Sequence, residues 1–108
     1  MHSNLIVARM DSRSSADVAR LFRDFDESDM PHRMGTRRRQ LFMFNGLYFH
    51  LQDFDDEQGG ERIEEAKTDP RFVRISRDLD PFIDAYDPAT WRSPADAMAR
   101  RFYSWESK

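Results

Sequence analysis

Residues 36–52 read TRRRQLFMFNGLYFHLQ, and this stretch decides the fold. It contains two strand-like runs, residues 36–44 and 47–52, which meet at Asn45-Gly46. This dipeptide tolerates the positive φ angles of a two-residue type I′ turn, the turn that joins the strands of a tight β-hairpin. We therefore expect an antiparallel hairpin whose turn length fixes the pairing of its strands.

The register of this hairpin assigns each side chain to one of two sheet faces. The predicted pairs are Phe44 with Leu47, Met43 with Tyr48, Leu41 with His50, Arg39 with Gln52, and Arg37 with Phe54. One face then carries Arg37, Arg39, Tyr48 and His50. The other face carries Arg38, Gln40, Phe42, Phe44, Leu47, Phe49 and Leu51, and is apolar in its middle and at its turn end. We expect one face to pack and the other to carry the chemistry.

The bulk composition narrows the function classes. A chain of 108 residues is expected to form a single domain, residues 1–108, and its 13% aromatic content argues against disorder. A net charge of −3 gives no general attraction to nucleic acid or to an anionic membrane. The absence of cysteine excludes disulfides and thiol chemistry. No apolar run approaches the ~20 residues of a membrane span, and no signal-peptide pattern is present, so we expect a cytoplasmic protein.

The remaining elements are predicted outward from the hairpin. Residues 4–10 form an apolar first strand, and Ser14 or Ser15 can cap a helix that carries an apolar stripe. A short helix is expected around Ile63 and Ala66. Asp69-Pro70 opens a longer helix, which we expect to continue to Tyr86 with a kink at Pro81. Residues 98–105 are predicted to form the last strand.

This order of elements predicts the fold class. It is strand, helix, strand, strand, helix, strand, the βαββαβ pattern of ferredoxin-like α+β domains. We expect a four-stranded antiparallel sheet with helices on one face. The second, apolar face must find a partner, which favours a symmetric homodimer.

The chemistry-bearing face of the hairpin offers a candidate active site. His50 changes charge near neutral pH and can transfer a proton, although a histidine on a strand is more often a satisfied core residue. Arg39 and Arg37 on the same face would cost desolvation unless each finds a carboxylate or a ligand oxyanion. Asp26, at the end of the first helix, could be that carboxylate. Together with Tyr48, such a group suits enolate formation, because arginine stabilises the enolate oxygen.

Other candidates are weaker. The run Arg37-Arg38-Arg39 is split between two faces by strand alternation, which disfavours a nucleic-acid patch. The three histidines lack a metal-ligand spacing such as His-x-x-x-His, so no metal site is expected. His32 either lines a cavity mouth or is a solvated loop residue. The aromatic side chains Trp91, Tyr103 and Trp105 belong to the core, to a dimer interface or to a substrate wall.

Several segments together resemble a known family. They are residues 7–10 (VARM), 26–31 (DESDMP), 35–39 (GTRRR), 47–51 (LYFHL), 69–72 (DPRF) and 102–105 (FYSW). In this order they are similar to the tetracenomycin-type aromatic polyketide cyclases of actinomycetes, closest to the branch found in spore-pigment pathways. GTRRR and LYFHL together are quite specific, whereas either alone is weak.

The resemblance implies a dimeric α/β-barrel assembly of ferredoxin-like subunits that meet through their sheets. It implies a cofactor-free enzyme that closes a late ring on a partly cyclised poly-β-ketone by aldol-type cyclisation and dehydration. The family's functional positions match Asp26, Arg39 and His50. A histidine that precedes the aspartate in the tetracenomycin enzyme is Phe25 here, so its role is lost or has moved to His32.

Several alternatives stay open at this level. The general base is either His50 or Asp26, and Tyr48, Arg37, His32 and Phe25 are the candidate substrate contacts. An acyl carrier protein or a polyketide synthase complex is a candidate partner. A cofactor-free oxygenase acting on an aromatic polyketide and a non-catalytic polyketide-binding module are the rival functions.

Overall fold

The structure, a computed structural model, describes residues 2–55, 65–92 and 94–107, apart from the side chains of residues 94 and 95. The strands and helices are β1 His2–Met10, α1 Ser15–Asp26, α2 Met30–Met34, β2 Thr36–Phe44, β3 Leu47–Phe54, α3 Pro70–Leu79, β4 Ile83–Ala85 and β5 Met98–Ala99. Short 3₁₀ turns at Ser12–Ser14 and Pro94–Ala97 precede α1 and β5. No helix among these residues is long and apolar enough to span a bilayer.

The strands form one antiparallel sheet in the order β2-β3-β1-β4. Strand β5 also pairs with β1, at Leu5 and Ile6. Strand β4 pairs with the C-terminal end of β1, at residues 8–10. Helices α1 and α3 pack against one face of the sheet. This topology is that of a ferredoxin-like α+β fold, as the order of predicted elements indicated.

The central hairpin forms as predicted from the turn to Arg39. Asn45 and Gly46 have φ angles of 50° and 77°, the positive values that a type I′ turn requires. The pairs run without a break from Phe44 opposite Leu47 to Arg39 opposite Gln52. The two-residue turn therefore fixes the register over this length.

The prediction that Arg37 lies opposite Phe54 is wrong. A β-bulge between Thr36 and Arg38 brings Thr36 opposite Phe54 instead, and Arg37 is the additional residue. The chain is held on both sides of the bulge, since Arg38 pairs with Asp53 and the Gly35 carbonyl accepts the Asp55 amide at 3.0 Å. The side chain of Arg37 therefore does not follow the alternation of β2 side chains between the two sheet faces.

Buried Asp53 holds the outer side of this bulge. Ser3 Oγ donates to Asp53 Oδ1 at 2.5 Å, and Arg38 Nε donates to Oδ2 at 2.9 Å. The hydrogen bond from Ser3, and then the guanidinium of Arg38, hold the pKa of the Asp53 carboxyl below its usual value. Arg38 lies opposite Asp53 in the register that the turn sets, so this pair is the last one before the shift.

The helix that begins at Pro70 is shorter than predicted. The side chain of Asp69 caps it by accepting the Arg71 amide at 2.9 Å, as the Asp-Pro sequence indicated. The helix ends at Leu79 rather than continuing through a kink at Pro81. Proline lacks an N–H and disfavours a helical conformation in the residue before it, so the chain leaves the helix here.

The fourth strand in the order of the sheet is β4, which lies in the segment predicted to be the end of the helix that begins at Pro70. The predicted last strand, residues 98–105, is paired only at Met98–Ala99, and residues 100–107 form no strand. Residues 30–34 form the short helix α2, which ends at Gly35 with a φ of 75°. The helix predicted around Ile63 and Ala66 lies largely outside the described residues, and Ala66 is buried.

The core lies between the sheet and the two long helices. Helix α1 buries the stripe predicted for it, including Val18, Phe22 and Phe25. The buried hydrophobic cluster is Ala8, Met10, Val18, Phe22, Phe25, Met30, Met34, Tyr48, Ala66 and Ile75. The opposite face of the sheet is only half covered, because Phe42 and Phe44 there are 50% and 67% exposed.

The turn gives a first testable prediction. We expect Gly46→Ala to lower the free energy of unfolding by about 1 kcal/mol, because an L-residue at positive φ is strained. A Cβ atom at Gly46 would have no atom within 4 Å, so the cost is that of the backbone alone. Urea unfolding measures it. Asn45→Gly, which removes the side chain at the other positive-φ position, is the control and should change stability by less than about 0.5 kcal/mol.

Candidate functional site

A cavity of about 600 Å³ lies between the sheet and the helices. Helix α1 contributes Phe22 and Phe25 to its wall, and α3 contributes Phe72, Ile75 and Leu79. The sheet supplies the floor, with side chains from β1, β2 and β3. Most of the wall is apolar, so the few polar groups on the floor determine what the cavity can bind.

The floor is organised in rows that run across the strands. In the first row Arg39, Gln52 and Asn4 are neighbours, and in the second row His50 lies between Leu41 and Ile6. In the third row Tyr48 is beside Ala8. The register predicted from the hairpin therefore brings Arg39, Tyr48 and His50 to the same cavity.

Arg39 is the centre of the polar cluster. Its side chain is only 7% exposed. The Nε atom lies 3.1 Å from both carboxylate oxygens of Asp26, and Nη1 lies 2.9 Å from Nε2 of His50. The Asp26 side chain is 35% exposed and does not line the cavity, so it holds the guanidinium from behind.

One nitrogen of this guanidinium remains available. Arg39 Nη2 is 3.0 Å from Asp26 Oδ1, but its N–H bonds do not point at the carboxylate, and no hydrogen bond forms. Nη2 is buried without a hydrogen-bond partner among the described residues. A buried donor without an acceptor is costly, and Arg39 lines the cavity, so its guanidinium is the candidate group for binding an oxygen atom of a ligand.

Two aromatic rings support the buried charge. The Cζ atom of Arg39 lies 4.8 Å from the ring centre of Phe22 and 5.7 Å from that of Phe25. Cation–π contacts of this kind offset part of the cost of desolvating a guanidinium. Phe25, a predicted substrate contact, therefore lines the cavity and also packs against the side chain that the site depends on.

The contact between Arg39 and His50 fixes the state of the imidazole. Arginine only donates hydrogen bonds, so Nε2 of His50 accepts and the ring proton is on Nδ1. Burial, and then the positive charge of Arg39, lower the pKa of His50 to about 3. His50 is therefore neutral at physiological pH. The ring of Phe22 packs edge-on against it, with the ring centres 5.2 Å apart.

Tyr48 is the other ionisable group on the floor. It is 4% exposed, and burial raises the pKa of its phenol, against a smaller opposing effect of the Arg39 charge. The hydroxyl group is therefore protonated at physiological pH. Its ring centre is 6.3 Å from that of His50.

Two of the predicted site residues lie elsewhere. The bulge turns Arg37 outward, where its guanidinium is 3.3 Å from Asp55 and its side chain is 64% exposed. His32 is exposed on α2. Neither residue lines the cavity. Among residues 2–55, 65–92 and 94–107, no cluster of three metal-ligating side chains occurs.

The structure also adds residues that the sequence did not single out. Asn4 and Gln52 line the cavity in the same row as Arg39. The signal for both was present, because Gln52 is the predicted hairpin partner of Arg39, and Asn4 has the same strand parity as Ile6 and Ala8. Trp91 also lines the cavity, whereas Trp105 is 73% exposed.

The architecture is a ferredoxin-like sheet with two helices around a cavity that contains Arg39. Known proteins match the chain over nearly its whole length. A family model described as polyketide synthesis cyclase matches residues 2–106. Polyketide synthase CurG of Streptomyces cyaneus is 42% identical over 98% of this chain and 98% of its own. Tetracenomycin F2 cyclase of Streptomyces glaucescens is 36% identical over 94% of this chain and 91% of its own. The chain therefore belongs to the polyketide synthesis cyclase family.

Solved structures agree with this assignment. The structure of tetracenomycin F2 cyclase, described as a type-II polyketide cyclase, covers 100% of both chains with a TM-score of 0.91 and 33% identity. This match confirms the ferredoxin-like fold and the resemblance seen in the sequence. A solved structure from Nitrosomonas europaea, named as an antibiotic biosynthesis monooxygenase, matches over 80% of both chains with a TM-score of 0.56 and 8% identity. This match is a likeness of fold alone.

Proposed function

We propose that this protein closes a late ring on a partly cyclised aromatic polyketide by cofactor-free aldol cyclisation and dehydration. The observation that carries this proposal is the buried guanidinium of Arg39, which lines a largely apolar cavity and whose Nη2 makes no hydrogen bond among the described residues. Such a cavity suits a flat apolar ring system, and the free donor suits one oxygen atom whose negative charge develops during the reaction. Membership of the cyclase family supports both parts of the proposal.

Arg39 is the proposed oxyanion binder. In an aldol cyclisation a methylene group loses a proton and the resulting enolate carbon attacks a carbonyl group. The negative charge resides first on the enolate oxygen and then on the new alkoxide oxygen. Asp26 fixes the guanidinium from behind and His50 fixes it from the side, so Nη2 is oriented before the substrate binds. Donors oriented in advance stabilise the transition state without a cost of reorganisation.

His50 is the proposed proton carrier, because it lines the cavity and Asp26 does not. Before substrate binds it is a weak base, since burial, and then the positive charge of Arg39, lower its pKa and Arg39 donates to its Nε2. A carbonyl oxygen of the substrate bound to Arg39 would draw Nη1 away from the imidazole, and the negative charge that develops on this oxygen as the enolate forms would compensate the positive charge. Nε2 could then accept the methylene proton and return it to the new alkoxide oxygen. Loss of water afterwards gives the aromatic ring.

The shape of the cavity accounts for the second part of catalysis. Poly-β-ketones cyclise spontaneously in several ways, so a site that holds one near-attack conformation selects the ring that forms. The rigid walls from Phe22, Phe72 and Leu79 confine the ring system, while the polar floor binds the oxygenated chain. Tyr48 is the proposed substrate contact at the far end of the floor.

Reconstitution of an aromatic polyketide pathway tests this function. Products are compared with and without the purified protein, in air and under anaerobic conditions. A new ring in both atmospheres is the expected result. A new product only in air would indicate an oxygenase, and unchanged products together with tight binding of the polyketide would indicate a binding module.

We further propose that the protein is a homodimer joined through its sheets. The uncovered sheet face exposes 50% of Phe42 and 67% of Phe44, and the C-terminal segment exposes 95% of Phe102 and 73% of Trp105. Apolar surface of this kind on a small domain favours association with a second copy. The spore-pigment pathway and an acyl carrier protein or synthase complex as partner stay proposals that rest on the sequence resemblance.

Sedimentation velocity tests the dimer. We expect the wild type to sediment with the mass of two chains and Phe44→Glu with the mass of one, because a charge in an apolar interface is costly to desolvate. Val73→Glu is the matched control, since Val73 is a 49% exposed apolar residue on α3 rather than on the sheet. It should remain dimeric. A monomeric wild type at micromolar concentration would contradict the proposal.

A further inference from the structure

The row of the cavity floor that contains Arg39 continues across two more strands. Gln52 on β3 pairs with Arg39 on one side and with Asn4 on the other. Gln52 is 6% exposed and Asn4 is half-buried, and both line the cavity. The proposed mechanism gives neither residue a role.

These two carboxamides are under-used within the protein. Nε2 of Gln52 donates one hydrogen bond to Thr36 Oγ1 at 2.8 Å, which orients the group. Its Oε1 and its second N–H have no partner among the described residues, and neither has the Asn4 carboxamide. These atoms are not buried, since Arg39 Nη2 is the only fully buried side-chain polar atom without a hydrogen bond among the described residues, so they are accessible from the cavity that both side chains line. Their natural partners are therefore polar atoms of a ligand.

We propose that Asn4 and Gln52 form a second oxygen-binding subsite, which recognises a carbonyl or hydroxyl group of the polyketide chain beside the oxygen that Arg39 binds. This inference rests on the proposed function of the cavity. A carboxamide both donates and accepts hydrogen bonds, so the subsite binds a keto group and its enol form alike.

The spacing of the row fits such a chain. Neighbouring strands lie about 4.8 Å apart, so the three polar side chains project from the floor at roughly this interval. This distance is close to the separation of alternate carbonyl groups along an extended poly-β-ketone. A chain laid across the strands would thus present one oxygen to Arg39 and another to the carboxamides.

The subsite would determine which carbonyl group reaches Arg39. The row at the other end of the floor contains Ala8 and the ring of Tyr48, a small side chain beside a flat one, which leaves room for fused rings. The two ends differ in polarity, so the substrate binds in one direction. Asn4 and Gln52 are therefore specificity-determining residues, and their loss should misplace the chain rather than abolish the chemistry.

Calorimetric binding of two probes tests the inference. Emodin is a hydroxylated anthraquinone, and 2-methylanthracene has the same flat three-ring skeleton without any oxygen atom. We expect Asn4→Leu to weaken the binding of emodin by about 5- to 10-fold, the usual value of one hydrogen bond, and to leave the binding of 2-methylanthracene unchanged. Asn4→Ser, which keeps a polar group, should recover part of the loss. Gln52→Leu provides an independent second variant.

Ile6→Ala is the matched control, because Ile6 lines the cavity in the neighbouring row of the same strand and its side chain is apolar. It should weaken the binding of both probes alike. If Asn4→Leu and Gln52→Leu also weaken both probes alike or neither, the subsite is wrong while the proposed cavity function stands. If the wild type binds neither probe, the proposed function itself is overturned, and the subsite with it.

Discussion

Replacement of Arg39 by glutamine is expected to lower the turnover of cyclisation, measured above the spontaneous rate, by about 100- to 1,000-fold. The physical reason is that Nη2 is the buried donor proposed to bind the developing oxyanion, and that the same guanidinium orients the imidazole of His50. Glutamine can donate a neutral hydrogen bond but supplies no positive charge. The substrate KM should change much less than kcat, since the lost interaction forms mainly in the transition state.

Lysine at this position should recover only a small part of the activity, about a tenth of wild-type turnover or less. Its ammonium group is a point charge and cannot reproduce the guanidinium geometry. Arg39 uses that geometry to contact Asp26 through Nε and His50 through Nη1, while Nη2 makes no hydrogen bond among the described residues. Full activity of Arg39→Lys would show that charge alone is sufficient.

Arg37→Gln is the matched control for both variants. It removes an arginine two residues away on the same strand, but this arginine is exposed and pairs with Asp55. We expect turnover and product pattern to remain at wild-type levels. If Arg37→Gln were as damaging as Arg39→Gln, or if Arg39→Gln kept wild-type turnover, the assignment of the oxyanion binder would be wrong.

The second large effect is a dependence of stability on pH. His50 takes up a proton at a pKa of about 3 in the folded protein and near 6.5 in the unfolded chain. Between these values the unfolded state binds one more proton, so the free energy of unfolding falls as the pH is lowered. This single residue should contribute a slope of up to about 1.4 kcal/mol per pH unit, present below pH 6.5 and ending near pH 3.

Urea unfolding at pH 6.5, 5.5 and 4.5 measures this slope. His50→Gln should flatten it, because glutamine can accept the hydrogen bond from Arg39 but does not titrate. The exposed histidine offers a control, and His32→Gln should leave the slope unchanged. Acidic residues such as Asp53 contribute equally to all three proteins, so the difference isolates His50. Equal slopes for wild type and His50→Gln would mean that the imidazole is not held neutral by its surroundings.

The sequence predicted the sheet well wherever local chemistry determines the geometry. The turn at Asn45-Gly46 fixes the register as far as Arg39, and this register alone brings Arg39, Tyr48 and His50 to one face. The bulge at Arg37 was missed because it begins beyond Arg38, the last pair in the register that the turn sets. There the chain is held by the pairing of Thr36 with Phe54 and of Gly35 with Asp55, and a strict alternation of residues contains no sign of this.

The C-terminal third was predicted less well, because two signals competed. The apolar stripe of α3 continues in phase through Phe82 and Ile83, so periodicity predicted a longer helix. Pro81 ends the helix instead, and the short strand β4 takes the edge of β1 that residues 98–105 were expected to occupy. Strand β4 has only three residues, too few for an alternating pattern to be recognised.

The candidate site was predicted in its centre and missed at its margins. Arg39 and His50 follow from the register, and Asp26 follows from the family resemblance and from its position at the end of α1. The outward turn of Arg37 depends on the bulge, and the exposed position of His32 depends on α2. Asn4 and Gln52 were overlooked because uncharged amides on strands carry no distinctive sequence signal.

The three consecutive arginines of β2 are divided among three separate carboxylates. Arg37 pairs with Asp55, Arg38 with Asp53 and Arg39 with Asp26, and the three carboxylates lie after β3, within β3 and at the end of α1. Because the pairs share no member, loss of one arginine leaves the other two with their own carboxylates. The charge of the exposed Arg37 and Arg38 can therefore be varied while the pair of Arg39 with Asp26 keeps both its members. A run that looks like one basic motif is, in its ion pairing, three separate positions.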